Sequence, residues 1–172
     1  MINFDVEPEF QEQIDWVEKF AKEEIEPLDN FFRIGKTKDG EPLTKEGWNA
    51  IRRHIEHLKQ RVKDRGLWGF HLGPELGGPG LGQVQLCLVN EKLGRTRMGP
   101  TLFGCQAPDT GNMELIAHNG TEDKKKNYMQ PLLEGTKRSA YSMTEPHAGE
   151  PGEFICSAQR DGDQWVSSGE KW

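Results

Sequence analysis

Apolar positions return every three or four residues through most of the chain and then shift to a shorter period near its end. Phe10, Ile14, Val17 and Ala21 stand at i, i+4, i+7 and i+11, and Ile25 and Leu28 extend the stripe. That spacing predicts an amphipathic helix. Pro27 is expected to end or kink it, because proline has no N–H to give to the ladder. Residues 33–43 read as a loop, with turn chemistry at Lys38-Asp39-Gly40. Thr44 is placed to cap a second helix. Its face is Trp48, Ile51, Ile55, Leu58 and Val62, and Gly66 closes it.

Residues 66–82, GLWGFHLGPELGGPGLG, are glycine-rich but hold neither G-x-x-x-x-G-K-[ST] nor G-x-G-x-x-G. No buried strand precedes them, so they read as a structural loop and not as a phosphate cradle. Three more helices come next: Gln83–Leu93 closed by Gly94, one over about 109–118 capped by Asp109 or Thr110, and one over about 122–133 capped by Thr121. Tyr128, Met129 and Leu132 are expected on one face of the last. Strands are then predicted at Arg138–Met143, Glu153–Gln159 and Asp163–Ser168, the last two joined through Asp161-Gly162 as a hairpin. Three strands do not close a sheet. The expected fold class is mainly α: an N-terminal all-α helical domain over residues 1–136, followed by the first strands of an incomplete antiparallel β domain over residues 137–172. The chain thus reads as truncated.

Composition narrows the partners. Apolar side chains make up 34% of the 172 residues, and the 20 glycines bring the total to about 46%, the usual range for a globular chain. No apolar run is long enough to span a membrane, and the acidic N-terminus MINFDVEPEF lacks the layout of a signal peptide. A net charge of −6 argues against nucleic acid. Cys87, Cys105 and Cys156 stand far apart with no C-x-x-C, which points to a reducing cytoplasmic setting with neither disulfides nor structural zinc. His54 and His57, three apart on a polar helix face, lack a further ligand at metal spacing.

The candidate chemistry gathers in residues 140–150, AYSMTEPHAGE. A strand end offers backbone N–H groups, and a threonine hydroxyl beside them suits the polar edge of a flat ring or an anionic group. The same Thr-Glu-Pro also serves simply to terminate an edge strand, since proline cannot continue a ladder.

The stretch Tyr141–Gly149, YSMTEPHAG, resembles the flavin-contacting signature of the acyl-CoA dehydrogenases. Glu75–Gly82 with Glu91–Arg95 resembles that family's E-E-L-G-G loop and E-K-L-G-R helix end, Asn119–Gly135 its G-T-E-x-Q-K run, and Arg160–Trp172 its R-D-G-D hairpin. Ala107–Met113, APDTGNM, is similar to the branch attached to aminoglycoside-phosphotransferase-like domains. The likeness covers nearly the whole chain in order. It implies an N-terminal portion of a three-domain enzyme of helical domain, β domain and C-terminal helix bundle. The implied function is FAD-dependent α,β-dehydrogenation of an acyl-CoA in fatty acid metabolism. The implied partners are the acyl-CoA, an electron-transfer flavoprotein or similar acceptor, and further subunits of the full-length protein. By motif position Tyr141, Met143 and Thr144 would line the flavin, Thr144 meeting its pyrimidine edge, and Gly149 would admit the cofactor closely. Glu145 belongs to the signature and not to catalysis; the base would lie in the C-terminal region, so no catalytic residue is assigned here.

Two positions depart from the family. Glu150-Pro151 replaces Ser-Asp, whose serine helps hold a pyrophosphate. Two unit like charges 4 Å apart cost about 4 kcal/mol at an effective dielectric near 20, so Glu150 turns away, or the loop is gapped differently, or cofactor affinity falls; Glu150 is also carried as a substrate-binding candidate. Trp172 lies one position after Lys171, where the covering aromatic of the family lies two after, so Trp172 is expected beside the ring and not on it. The alternatives are a non-catalytic or partner subunit completing a flavin site with another chain, and a related flavin oxidase or monooxygenase.

Overall fold

The computed structural model describes residues 6–34, 36 and 39–172. The readings of Met1–Asp5 and of Gly35, Thr37 and Lys38 lie outside them. Two compact units are present, Met1–Arg138 and Ser139–Trp172.

In the first unit, the stripe from Phe10 onward forms α1, Pro8–Phe20. Pro27 does not end this helix. A π turn, Ala21–Ile25, carries it into α2, Glu26–Ile34, with the Glu26 N–H donating five residues back to the Ala21 carbonyl. The wider turn separates the proline ring from the carbonyl behind it, so the ring is accommodated inside the helix. The arrangement recurs. The short helix α7, Glu122–Lys124, enters a π turn at Lys125–Met129, and α8, Gln130–Glu134, comes after it with Pro131 as its second residue. Before those come α3, Lys45–Asp64, α4, Gln83–Leu93, α5, Gly99–Leu102, and α6, Asp109–Asn119.

The π turn corrects one predicted face. Leu132 is buried, but Tyr128 is 58% exposed, because one added residue rotates all later side chains of a helix by about 100°. The cap at Asp109 or Thr110 is also corrected: Pro108 is the N-cap of α6, and Asp109 is buried, accepting from the Gln106 side-chain amide.

Other ends form as their residues dictate. The Thr44 hydroxyl accepts from the Gly47 N–H at 3.1 Å. Gly66, at φ +75°, closes α3 with Gly66 N–H to Lys63 C=O and Leu67 N–H to Val62 C=O, the paired bonds of a Schellman ending. The core beneath α1, α3 and α4 is aromatic and aliphatic: Val17, Phe20, Leu58, Val62, Phe70, Val89 and Phe103 are all buried. Burying each such side chain contributes about 1.5–3 kcal/mol.

The glycine-rich stretch folds on itself. A Cβ at Gly78 would stand 2.1 Å from the Leu72 carbonyl oxygen, which also accepts from Gly80 N–H. Gly78→Ala is therefore expected to cost about 1–3 kcal/mol, read as a lowered denaturant midpoint. Gly111→Ala, in α6 with open space around the new Cβ, is expected to raise the midpoint by up to about 1 kcal/mol in stability.

The second unit holds β1, Ser157–Asp161, and β2, Gln164–Ser168, antiparallel with Asp161 opposite Gln164. Gly162 has φ +57° and no non-glycine residue has positive φ among the described residues, so the central pair is Gly162-Asp163 in a II′-like turn. The strand expected at Arg138–Met143 is not formed. A strand needs a ladder, and among the described residues no segment pairs with residues 138–143 in one; the adjoining Thr144 carbonyl accepts from the Trp172 N–H at 2.9 Å.

Candidate functional site

Thr144-Glu145-Pro146 sits at the centre of the second unit. Pro146 cannot extend a ladder, and the chain turns back with Ala148 N–H donating to the Glu145 carbonyl at 3.3 Å. The turn sends the Glu145 side chain inward, where it is 3% exposed. Its Oε2 accepts from the Ile155 N–H at 2.7 Å, and its Oε1 from the Cys156 N–H at 3.0 Å and the Lys171 ammonium at 2.9 Å. Lys171 Nζ also donates to the Met143 carbonyl at 2.8 Å and lies 3.9 Å from the centre of the Phe154 ring.

Burial alone would push the Glu145 carboxyl up. Hydrogen bonds from the Cys156 thiol, the Ile155 N–H, Lys171 and the Cys156 N–H outweigh it and hold the group at about 2, against an ordinary 4.5. A carboxylate so engaged is an anchor and a poor proton acceptor. The Cys156 thiol is pushed up in turn, first by its hydrogen bond to Glu145.

Around this anchor the residues singled out by motif are exposed. Tyr141 is 68% and Met143 43% exposed, and Thr144 faces outward beside them. Among the described residues the Thr144 N–H and hydroxyl make no hydrogen bond, while its carbonyl is held by Trp172. The Trp172 ring is 77% exposed, and its main-chain oxygen accepts from the Ser142 hydroxyl at 2.7 Å. Gly149 has no positive φ, and a Cβ there would meet nothing within 4 Å; nothing in the described chain requires glycine at this point. Glu150 is exposed and makes no ion pair among the described residues, and it opens the 3-10 turn Pro151–Glu153. A concavity of about 440 Å³ in this unit is lined by Cys156, Ser157, Ser167, Ser168 and Lys171; it contains none of Tyr141, Met143, Thr144, Gly149 or Glu150.

In the first unit, Trp68, Gln106, Asp109 and Met113 line a cavity of about 40 Å³. The buried Gln106 Oε1 there has no hydrogen-bond partner among the described residues, and the space suits about one water. Sequence reasoning missed this site, since a lone glutamine before a helix carries no pattern. It also passed over His71, whose ring nitrogens are buried without partners among the described residues. Burial pushes that imidazole down, against the opposing pull of Glu114. No helix of the described residues is long and apolar enough to cross a membrane.

Known proteins resemble this chain in sequence and fold. The family model described as acyl-CoA dehydrogenase, N-terminal domain, matches residues 7–136. Acyl-CoA dehydrogenase family member 11 of Gallus gallus is 37% identical over 164 residues, which are 94% of this chain and 20% of that protein. The chain therefore spans about a fifth of the length of such curated relatives. A solved Mycobacterium abscessus structure, assigned to the acyl-CoA dehydrogenases, superposes with a TM-score of 0.82 at 31% identity, covering 98% of this chain and 42% of that one. A Bacillus anthracis acyl-CoA dehydrogenase complexed with FAD superposes at 0.63 with 25% identity, covering 99% of this chain and 27% of that one.

Proposed function

Because this chain belongs to the acyl-CoA dehydrogenase family, we propose that it is the N-terminal part of a FAD-dependent acyl-CoA dehydrogenase acting in fatty acid metabolism. The observation that carries the reading is the exposed, unpartnered Thr144 N–H and hydroxyl, flanked by the exposed Tyr141 and Met143 side chains. Two directed donors beside apolar surface match the polar edge of a flat heteroaromatic ring, and the open space at Gly149 leaves room for close approach. These residues fit the cofactor. When bound, FAD supplies the hydride acceptor for α,β-dehydrogenation of an acyl-CoA thioester.

This chain's own part is binding and orientation. Thr144 donates to the cofactor edge; Tyr141 and Met143 cover apolar surface; Gly149 admits the chain beside it. Glu150 is the candidate contact with the substrate. Glu145 takes no α-proton, because its oxygens are already occupied by donors from Ile155, Cys156 and Lys171. The base is assigned to polypeptide beyond these residues, and the chain alone is expected to be inactive. The proposed partners are an acyl-CoA, an electron-transfer flavoprotein or similar acceptor, and further subunits of the same or another chain. The cysteine usage supports a cytoplasmic setting. The exposed Glu150 charge favours a second reading, a partner subunit that completes a flavin site with another polypeptide.

Thr144→Val is expected to weaken FAD binding by about tenfold, since one hydrogen bond contributes about 0.5–1.5 kcal/mol. Flavin titration followed by absorbance checks it. A complete gene product that never acquires flavin absorbance, even with its counterpart chain supplied, would overturn the assignment.

A further inference from the structure

We propose that Lys171 is a positioning residue: by gripping the Met143 carbonyl it aims and strengthens the Thr144 N–H as a donor to the flavin. The inference rests on the flavin reading above and adds a role for a residue outside the Thr-Glu-Pro segment.

The Met143 carbonyl and the Thr144 N–H are the two ends of one peptide group. The link is trans, since Ala107-Pro108 is the cis bond of the described chain, and a planar trans peptide sets its C=O and N–H in opposite directions. Lys171 Nζ holds the Met143 oxygen at 2.8 Å. The Thr144 N–H therefore points away from the ammonium, and it has no partner among the described residues. The next residue completes the grip, because Trp172 N–H holds the Thr144 carbonyl at 2.9 Å. Two consecutive residues, 171 and 172, thus clamp two consecutive carbonyls, 143 and 144, and leave the donor between them free.

The ammonium is itself fixed. It lies between Glu145 Oε1, the Met143 oxygen and the Phe154 ring, and Glu145 is tied to the backbone at Ile155 and Cys156. A lysine present only to neutralise Glu145 would not need the Met143 bond. A cation on the carbonyl also polarises the peptide, and hydrogen bonds in a chain strengthen one another. The donor is then both aimed and made stronger, and a stronger donor favours the electron-rich reduced flavin over the oxidised one.

The test uses the complete gene product as wild type, Lys171→Met and Lys171→Arg. Lys171→Met is expected to weaken FAD binding about tenfold and to lower the preference for reduced over oxidised flavin by roughly tenfold, a fall of about 30 mV in midpoint potential for a two-electron couple. Lys171→Arg keeps a cationic donor and is expected to recover most of both. Hydrogen exchange at Thr144 in the FAD-free wild type gives a readout that needs no variant: the amide is expected to exchange freely and to become protected on adding FAD. Flavin uptake with an unchanged potential in Lys171→Met overturns the proposal alone, as does a Thr144 amide protected without FAD. If Lys171→Met does not fold, the wild-type exchange decides. A wild-type product that takes up no flavin overturns the underlying reading, and the proposal with it.

Discussion

Phe103→Ala is expected to cost the helical unit about 3–5 kcal/mol, the usual range for deleting a fully buried aromatic side chain. Phe103 is completely buried and joins three other rings, with centroids 6.4 Å from Trp16, 6.0 Å from Phe20 and 6.1 Å from Phe70, all in edge-on geometry. These partners come from α1 and from the loop after α3, so the cavity left by alanine opens between elements that a small shift cannot bring together. Edge-to-face pairs add about 0.5–1.5 kcal/mol each beyond their buried area. The Phe103 carbonyl also accepts from the Gly69 N–H at 2.8 Å, a backbone bond that survives the substitution and limits collapse. Against a total stability of about 5–15 kcal/mol for a domain, the loss should appear as a large fall in denaturant midpoint. Phe103→Leu should lose much less. Equal midpoints for the alanine variant and the wild type would contradict this account of the core.

Glu145→Leu should have the largest effect in the second unit. It removes the shared acceptor of donors at Ile155, Cys156 and Lys171, and it leaves the Lys171 ammonium without its counter-charge. Breaking a buried pair by deleting one partner is far more damaging than replacing both. The expected result is loss of amide protection at Ile155 and Cys156, read by hydrogen exchange, with the core of the first unit unaffected. Acid should reproduce the effect gradually. The carboxyl titrates near 2 in the fold and at its ordinary 4.5 when unfolded. A depressed carboxyl stabilises the fold fully above about 4.5, and that contribution is lost as pH falls from there through about 2. Carboxyl resonances of Glu145 followed by NMR should therefore show a midpoint well below that of an exposed glutamate. A midpoint near 4.5 would mean that Ile155, Cys156 and Lys171 do not hold the carboxylate as described.

Much of the helical unit was legible in the residues. The stripe through Leu58 and Val62, the Thr44 cap and the Gly66 ending are local chemistry: each depends on residues within a turn or two of itself, and each stands where the spacing put it. The helix Gln83–Leu93 kept its predicted ends for the same reason. Pro27 does not end its helix, because that outcome depends on whether the ladder ahead of it can widen, and Ala21–Ile25 does so in a π turn. Tyr128 misled for the same cause near the end of the unit. The Arg138–Met143 strand failed because strand formation is a property of two segments and the period of one does not reveal its partner.

Motif order and apolar period are carried by neighbouring residues, so the residues alone were enough to reach the family and the mainly helical class, and they marked Tyr141 to Gly149 as the candidate site. The residues placed Glu145 outside catalysis, but the groups that hold it became visible only in the folded chain. Its role depends on Ile155, Cys156 and Lys171, which stand 10, 11 and 26 positions away, and a carboxylate becomes an anchor or a base according to the donors that folding brings to it.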